Sequence, residues 1–435
     1  MKRLWRVGCV AAVIALGFGG AAAAEELLTR VGRIQALGKS TSPQDIYDVR
    51  VQSPKSALFS PDGKKLYINA LEGGQTLIYS FPDLQPLGVI RHEFGAADAE
   101  LFQGETTVFG YDYYHGKAET YNHFLGKPVE MALSHNGRYL WVPYYRRSFD
   151  LNASSPSALA IIDTQTDRIV RVMPTGPLPK YVAISPDSRQ AVVTHWGDNT
   201  LGVLDISAPD PKAFRYTNHW VVERKMATQG IQGDRDSHCG FCLRGTVYAP
   251  DGNTVLVARM GGGGVAGFDT TSGRYLGTVT QIVGNPRHLV ISRDGATLFV
   301  SGNQSGQVGR YDLAAVLQAL RAANGQRVTG PGGQTLNVGQ GVRTIELSPD
   351  QRSLYAAVHL DAKLVRIDLA TWKVEASAAV DPYAVGLAIS PDGNTVVTTS
   401  QGRDSGGGQS VGLYRVAAPA VRCAPASEGA MPCSP

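Results

Sequence analysis

The segment Tyr181–Ser207, YVAISPDSRQAVVTHWGDNTLGVLDIS, contains a complete structural unit. Three short runs of apolar, mostly β-branched residues are separated by polar turn residues, and this pattern predicts three strands. The first connection is Ser185-Pro186-Asp187, in which proline presets the φ of a tight turn and aspartate can accept hydrogen bonds from nearby backbone N–H groups. The segment therefore predicts a strand, a tight turn, a second strand, a loop and a third strand.

The turn of this unit occurs seven times along the chain. Its copies begin at Ser60, Ser134, Ser185, Ala249, Ser292, Ser348 and Ser390. The most closely spaced copies lie about 42 residues apart, which is the period of a four-stranded propeller blade. Because one blade cannot bury both of its faces whereas a closed ring of blades can, the repeat predicts an all-β, seven-bladed β-propeller.

An aspartate at the end of a strand is a second repeated marker. It is found at Asp163, Asp205, Asp269, Asp312 and Asp368. Each is followed by a short polar connection, so we expect these side chains to start the turn into the fourth strand rather than to take part in catalysis.

The blades share a further motif, in which the second strand reads Leu-aromatic-Val/Ile/Ala. Its clearest copies are Leu66-Tyr67-Ile68-Asn69, Leu140-Trp141-Val142-Pro143, Leu298-Phe299-Val300-Ser301 and Leu354-Tyr355-Ala356-Ala357. With the turns, these blades resemble the YVTN repeat family, the YncE-like and surface-layer-type seven-bladed propellers. The resemblance covers residues 49–416 and implies one propeller domain with loop and short helix insertions. It does not imply one function, because propellers serve as enzymes, cofactor holders and docking platforms.

The composition limits the kind of partner. The chain has 435 residues, of which 43% are apolar and 18% are charged, and a net charge of +4. A mild positive charge without a strong Lys/Arg run suits an anionic ligand and does not argue for nucleic acid. We expect a monomer that binds a small anionic ligand or a protein partner.

The N-terminal residues have the pattern of an export signal. Lys2, Arg3 and Arg6 precede an apolar stretch at 7–20, which is followed by four alanines that end at Ala24. This pattern predicts a signal peptide at 1–24, cleaved after about Ala24, and a periplasmic or secreted protein. No later stretch is long and apolar enough to predict a membrane span. We expect a leader at 25–48, a strand at 46–51 that pairs with the last blade and closes the ring, and a Pro/Ala-rich tail at 417–435.

Cationic and aromatic residues recur where the inner strands begin and where the second strands end. Aligning the blades by their turns places these positions around one mouth of the central channel, where guanidinium groups suit oxyanions. The candidate ligand-binding residues are Tyr145, Arg146, Lys180, His195, Arg244, Arg259, Arg287, His288, Arg343 and His359. The aromatic insertion at 111–124 precedes the second blade and is either part of this ligand face or a lid that packs over the channel.

Three of the histidines allow a different hypothesis. If His195, His288 and His359 converged, they would make a metal site or supply acid–base groups. Ordinary structural histidines at strand ends are the competing interpretation. No cofactor is predicted, and a metal ion remains an alternative.

The cysteines form the most individual feature of the chain. Cys239-Gly240-Phe241-Cys242 has the spacing of a short-loop disulfide, a redox-active pair or, with His238, part of a metal site. Haem attachment would need histidine directly after the second cysteine, where Leu243 stands. The even count of four after the signal favours two disulfides, the second from Cys423 and Cys433 in the tail, but three pairings are open.

The residues do not identify an activity. None of the common catalytic signatures stands out, so a ligand-binding or protein-interaction scaffold is the leading hypothesis. The resemblance implies two alternatives, since related propellers include lactonases and subunits of quinoprotein systems: a lactonase-like hydrolase that uses the channel mouth, and an accessory protein of a periplasmic redox system. A helix is also predicted at 313–323, inserted after a third strand and ended by Asn324-Gly325.

Overall fold

A computed structural model describes residues 27–37, 42–103, 122–227, 232–402 and 407–417. Its strands in the first half of the chain are Leu28–Gln35 (β1), Ile46–Tyr47 (β2), Pro54–Phe59 (β3), Lys65–Ala70 (β4), Gln75–Ser80 (β5), Pro86–Arg91 (β6), Glu93–Phe94 (β7), Phe124–Pro128 (β8), Ala132–Ser134 (β9), Tyr139–Arg147 (β10), Ser157–Asp163 (β11), Arg168–Thr175 (β12), Pro179–Ile184 (β13), Gln190–His195 (β14), Thr200–Asp205 (β15) and Arg215–Val221 (β16). Those in the second half are Leu243–Tyr248 (β17), Thr254–Arg259 (β18), Val265–Asp269 (β19), Tyr275–Thr280 (β20), Pro286–Ile291 (β21), Thr297–Gly302 (β22), Gln307–Asp312 (β23), Arg327–Thr329 (β24), Gln334–Asn337 (β25), Val342–Leu347 (β26), Ser353–Val358 (β27), Lys363–Asp368 (β28), Lys373–Ala379 (β29), Ala384–Ile389 (β30), Thr395–Ser400 (β31) and Ser410–Val416 (β32).

Seven sheets, each built on four antiparallel strands, confirm the predicted seven-bladed propeller. Counted along the chain and from the channel outward, blade I is β3–β6, blade III is β13–β16, blade IV is β17–β20 and blade VI is β26–β29. Blade V is β21, β22, β23 and β25, and blade VII is β30, β31, β32 and β1. Blade II is β9–β12, and its inner edge is continued by β8, which pairs with the second half of β10.

Neighbouring blades pack face to face, and this packing makes the core. Trp220 of blade III stacks on Phe268 of blade IV with ring centroids 5.2 Å apart, and both side chains are buried. Trp141 stacks in the same way on Phe214, at 5.7 Å. Because the two neighbouring blades cover both faces of each sheet in this way, the apolar second and third strands are buried throughout the ring.

The repeated turns have the predicted structure. In the first turn the Ser60 hydroxyl donates to the Asp62 carboxylate over 2.6 Å and accepts from the Lys65 N–H over 2.9 Å. The Ser185 turn repeats the arrangement with Asp187 and Gln190. The serine therefore ties the two ends of the turn together.

The aspartates at the ends of third strands are also structural, as predicted. The Asp163 carboxylate accepts from the Gln165 N–H over 2.8 Å. Asp205, Asp269 and Asp368 accept backbone N–H groups in the same way. Asp312 differs from the prediction, because it accepts from the Ala315 N–H over 2.8 Å and so begins a helix instead of a turn into the fourth strand.

Ring closure differs from the prediction. The outermost strand of blade VII is β1, which pairs antiparallel with β32 from Leu28↔Val416 to Gln35↔Ser410. The stretch predicted to close the ring contributes only β2, which adds to β1 in parallel through two residues. A strand of eight residues covers the edge of β32 far better than one of two, so residues 28–35 of the predicted leader are part of blade VII.

The short helices lie between strands. They are Ala99–Phe102 (α1) and Leu313–Ala323 (α2), with single 3₁₀ turns at Ala96–Asp98, Pro211–Ala213 and Arg235–His238. The α2 helix follows a third strand, as predicted, begins after Asp312 and ends at Asn324, whose φ is 48°. Its buried face packs on the outer part of blade IV. None of the helices in the described ranges is long and apolar enough to cross a bilayer.

Candidate functional site

The start of each inner strand contributes one residue to the mouth of the channel. Counting five residues back from the first residue of each turn gives Lys55, Val129, Lys180, Arg244, Arg287, Arg343 and Val385. Five of these seven residues are cationic, and the first six line one cavity of about 350 Å³. The regular repeat of the propeller therefore places cations from five different blades around the same opening.

These cations are largely removed from solvent. Lys55 is 6% exposed, Arg244 6% and Arg287 7%. Burial, together with the neighbouring Arg244, lowers the pKa of Lys55 well below its ordinary value. Burial likewise lowers the pKa of Arg287, with Arg244 and Arg343 adding repulsion. The mouth thus concentrates positive charge at poorly hydrated positions.

Two of the cations are paired with carboxylates. Arg244 donates to Glu130 over 2.9 Å, and Lys180 donates to Asp236 over 3.2 Å. Burial lowers the pKa of Lys180 to about 7, although Asp236 acts in the opposite direction. Burial alone would raise the pKa of Asp236, but the Lys180 ammonium holds it below its ordinary value.

Two other cations have no such partner. Within the described part of the chain, neither Lys55 nor Arg287 forms an ion pair with a carboxylate. Arg287 instead points a guanidinium nitrogen at the Met260 sulfur, 3.4 Å away. An unpaired buried cation is costly, so an anionic group in the cavity would relieve both.

One side of the cavity is aromatic. The Lys180 ammonium lies 3.8 Å from the centroid of the Tyr145 ring and 5.0 Å from that of Trp196. The Trp196 indole donates to the Asp236 carbonyl over 3.3 Å. Arg146 stacks on Tyr145 and pairs with Asp234 at 2.7 Å, so it supports the aromatic side without lining the cavity.

The structure brings together five of the ten predicted ligand-binding residues. They are Tyr145, Lys180, Arg244, Arg287 and Arg343. The sequence-based prediction omitted Lys55, Glu130 and Asp236. Lys55 could have been predicted from the sequence, because it precedes its turn by the same number of residues as the other four cations. The two acids could not be predicted from the repeat, because Asp236 lies in a long insertion and Glu130 lies where the inner strand of blade II is interrupted.

His195 and Arg259 correct the prediction. His195 is fully buried between blades II and III, where it contacts the hydroxyls of Thr175 and Thr200 at 2.7 and 2.8 Å. Arg259, also fully buried, pairs with Glu223 and stacks on Phe241. Both strands end with these side chains turned into the interface between blades and away from the channel.

The three histidines do not converge. His288 lies deeper in the channel against Tyr181, whose hydroxyl is 3.1 Å from its Nε2. His359 packs against Tyr383, with ring centroids 5.0 Å apart, and burial lowers its pKa to about 4. Among the residues described, no three His, Cys, Asp or Glu side chains are grouped so as to hold a metal ion.

The cysteine motif is a disulfide between Cys239 and Cys242. Because both sulfurs are bonded to each other, the alternative metal site with His238 is not formed, and the His238 ring instead contacts the Asp234 carbonyl at 3.0 Å. Cys423 and Cys433 lie outside the described residues, as does most of the aromatic insertion at 111–124.

Comparison with known proteins gives the family and little beyond it. The model of the family described as "Lactonase, 7-bladed beta-propeller" matches residues 116–417. Antigen Lp49 from Leptospira interrogans serogroup Icterohaemorrhagiae serovar copenhageni is 26% identical over 176 residues, which cover 35% of this chain and 39% of that relative. The chain therefore matches about two fifths of the relative's length.

Solved structures show the same fold at low identity. A chain of a mitotic checkpoint complex superposes with a TM-score of 0.56 at 13% identity, covering 95% of this chain and 99% of that one. Hydrazine synthase from Kuenenia stuttgartiensis superposes with a TM-score of 0.53 at 16% identity, covering 83% of this chain and 96% of that one. Both similarities concern the fold alone. The family match, which spans more than half of the chain and agrees with its seven blades, shows that this protein belongs to the seven-bladed β-propeller family named Lactonase.

Proposed function

We propose that the channel mouth binds a small anionic ligand. The observation that carries this proposal is the pair of buried cations, Lys55 and Arg287, that have no carboxylate partner in the described chain although they line a common cavity. Three carboxylates offset the five cations of the mouth. Asp236 and Glu72 line the cavity and Glu130 pairs with Arg244, which leaves a formal charge of +2. A ligand with two negative charges would compensate it.

The chemistry of the site suits oxyanions. Guanidinium groups donate two parallel hydrogen bonds to a carboxylate, phosphate or sulfate, and such bonds are strongest where water is excluded. Tyr145 and Trp196 offer a flat surface to the body of a ligand. The disulfide fits a compartment outside the cytoplasm, which supports action in the periplasm or after secretion.

Calorimetric titration of the purified protein with sulfate tests the proposal. Sulfate is a suitable probe because its charge is constant across neutral pH. Replacing either unpaired cation, in Lys55→Met or Arg287→Met, should weaken sulfate binding about tenfold, the effect of losing one charge-assisted hydrogen bond.

Lys373→Met is the matched control. Lys373 is exposed on the outer strand of blade VI and forms no ion pair with the described residues, so its loss removes the same charge far from the mouth. Equal sulfate affinities in all four proteins, or the absence of saturable binding, would refute an anion site at the mouth.

Hydrolysis of a lactone is the second candidate. It rests on the family membership and on Lys180, whose pKa of about 7 leaves a neutral amine available at physiological pH to take a proton from an attacking water. A pH-stat assay over a panel of lactones should then detect acid release that Lys180→Met abolishes. Sulfate binding without acid release from any lactone would leave ligand binding as the function.

A further inference from the structure

A second cavity opens at the other end of the channel, on the side of the Ser-x-Asp turns. Its volume is about 670 Å³, and 13 of the 21 residues that line it are aliphatic or proline. The repeat explains the aliphatic residues of this lining, because the residue two positions before the turn is Leu, Ala or Val in six of the seven blades. The seventh is Glu346, in the inner strand of blade VI.

Glu346 is a carboxylate without a partner in this cavity. Its side chain forms no hydrogen bond and no ion pair with the described residues, although it lines the cavity with aliphatic residues such as Ala183 and Val290. Burial raises its pKa to about 7, and no neighbouring cation opposes this shift. A carboxylate held in an apolar site either takes up a proton or binds a cation.

Two aromatic side chains stand at the inner end of the same cavity. The Tyr181 hydroxyl is 3.1 Å from His288 Nε2, and their rings meet edge to face at 5.6 Å. Burial lowers the pKa of His288 to about 4, so this imidazole is neutral at physiological pH. Neutral aromatic rings beside a carboxylate provide a favourable environment for an organic cation.

The other charged or titratable groups of the cavity do not neutralise Glu346. Tyr248 donates to the Gln190 side chain over 2.9 Å, and Arg293 donates to the Pro349 carbonyl over 2.7 Å. With Tyr181 and His288, these complete the titratable or charged side chains that line the cavity with Glu346.

We propose that this turn-side cavity is a second binding site, which takes a small organic ammonium ion with an apolar body and anchors its charge on Glu346. An apolar cavity with a few convergent polar groups is the usual form of a small-molecule site. The apolar body would contact Ala183, Val247 and Val290, and the ammonium group would lie between Glu346 and the Tyr181 ring. This proposal is independent of the anion site at the mouth.

Benzylammonium is a suitable probe, because it combines one charge with a compact apolar ring. Its affinity for the full chain at pH 8 should fall about tenfold in Glu346→Gln, which keeps the shape of the side chain and removes its charge. Benzyl alcohol, the neutral analogue, should bind both proteins equally. Lys373→Met, which removes a charge from the exposed outer strand of blade VI, should leave benzylammonium binding unchanged.

The pH dependence of the unaltered protein gives a second readout. Since Glu346 is protonated below its pKa, benzylammonium should bind several-fold more tightly at pH 8 than at pH 6. Glu346→Gln should bind the probe equally at both values. The proposal is overturned if the variant and the unaltered protein bind benzylammonium alike at pH 8, or if neither binds it saturably.

Discussion

Lys180 is the residue whose charge state most affects the mouth. Its ammonium group is in contact with Asp236 and with the faces of two aromatic rings, while burial lowers its pKa to about 7. The site therefore carries one positive charge more at pH 6 than at pH 8.5. We expect anion binding to depend on this difference, because the Lys180 side chain is buried and its charge is little screened by solvent.

We predict that sulfate affinity decreases on the order of tenfold as the pH rises through 7. Below that value Lys180 is charged and attracts the dianion, and above it the amine is neutral. Lys180→Arg stays charged, so its affinity should lack the step near pH 7, whereas Lys180→Met should bind weakly at every pH. Calorimetry at pH 6, 7 and 8.5 measures the three profiles.

Lys55 is the internal control of that experiment. Its pKa is also lowered by burial, but it is present in all three proteins, so the difference between their profiles isolates Lys180. A step near pH 7 that persists unchanged in Lys180→Arg would assign the titration to another group.

Sequence spacing predicts the cations of the mouth better than it predicts the histidines. Lys180, Arg244, Arg287 and Arg343 face the cavity because inner strands repeat with a constant register from the turn. His195 ends a second strand, and its side chain lies toward the neighbouring blade, where it contacts the Thr175 and Thr200 hydroxyls. Such tertiary partners cannot be inferred from the pattern of one chain.

At the scale of elements, the segment between blades III and IV builds one side of the mouth. Asp236 precedes the disulfide by three residues and Arg244 follows it by two, and both line the cavity. Arg235 anchors the segment, since it is fully buried and donates to the carbonyls of Ala153 and Gly197 over 2.9 and 3.1 Å. The disulfide therefore lies between these two cavity residues in the sequence.

Removing this disulfide should destabilise the protein by about 2 kcal/mol, the value expected for a loop of this short length. The variant is Cys239→Ser with Cys242→Ser, and urea unfolding measures the loss. Cys423→Ser with Cys433→Ser, which removes the second predicted disulfide, measures separately what the cysteines of the tail contribute. Unchanged stability of the first variant, with the bond verified by mass in the unaltered protein, would contradict a structural role.

The sequence predicts elements that are stabilised by neighbouring residues in the chain, but it does not predict elements whose partners are far away in the chain. The Ser-x-Asp turns and the α2 helix carry their own signals, namely a hydroxyl that bridges the turn, the Asp312 cap and the αL residue Asn324. The closing strand β1 lacks such a signal, because its pairing partner β32 lies at the opposite end of the chain.

At the scale of the whole molecule, the ring joins two cavities of different character on one axis. The mouth is cationic and has about half the volume of the turn-side cavity, which is lined mostly by aliphatic residues and proline and, among the residues described, has Glu346 as its single carboxylate. Both are made by residues from many blades, so both depend on the ring staying closed. Closure depends in turn on the pairing of β1 with β32.

Arg33 on β1 is where this closure should be most sensitive. It is 5% exposed, donates to Asp45 over 2.9 Å and to Asp381 over 3.1 Å, and so joins β1 to the segment after it and to the loop before β30. Arg33→Met removes the guanidinium that contacts the Asp45 carboxylate, whose side chain is 1% exposed, at 2.9 Å. Breaking a buried pair in this way costs about 3 kcal/mol or more.

Arg30→Met is the matched control, since Arg30 lies on the same strand and pairs with the same Asp381, at 3.7 Å, but is 38% exposed. An exposed pair contributes about 1 kcal/mol or less, so the control should unfold in urea almost as the unaltered protein does. The Arg33→Met protein should unfold at a lower urea concentration and, because an open ring displaces cations of both neighbouring blades, should also bind sulfate less tightly. Equal stability of the two variants would mean that β1 is held by its backbone pairing with β32 alone.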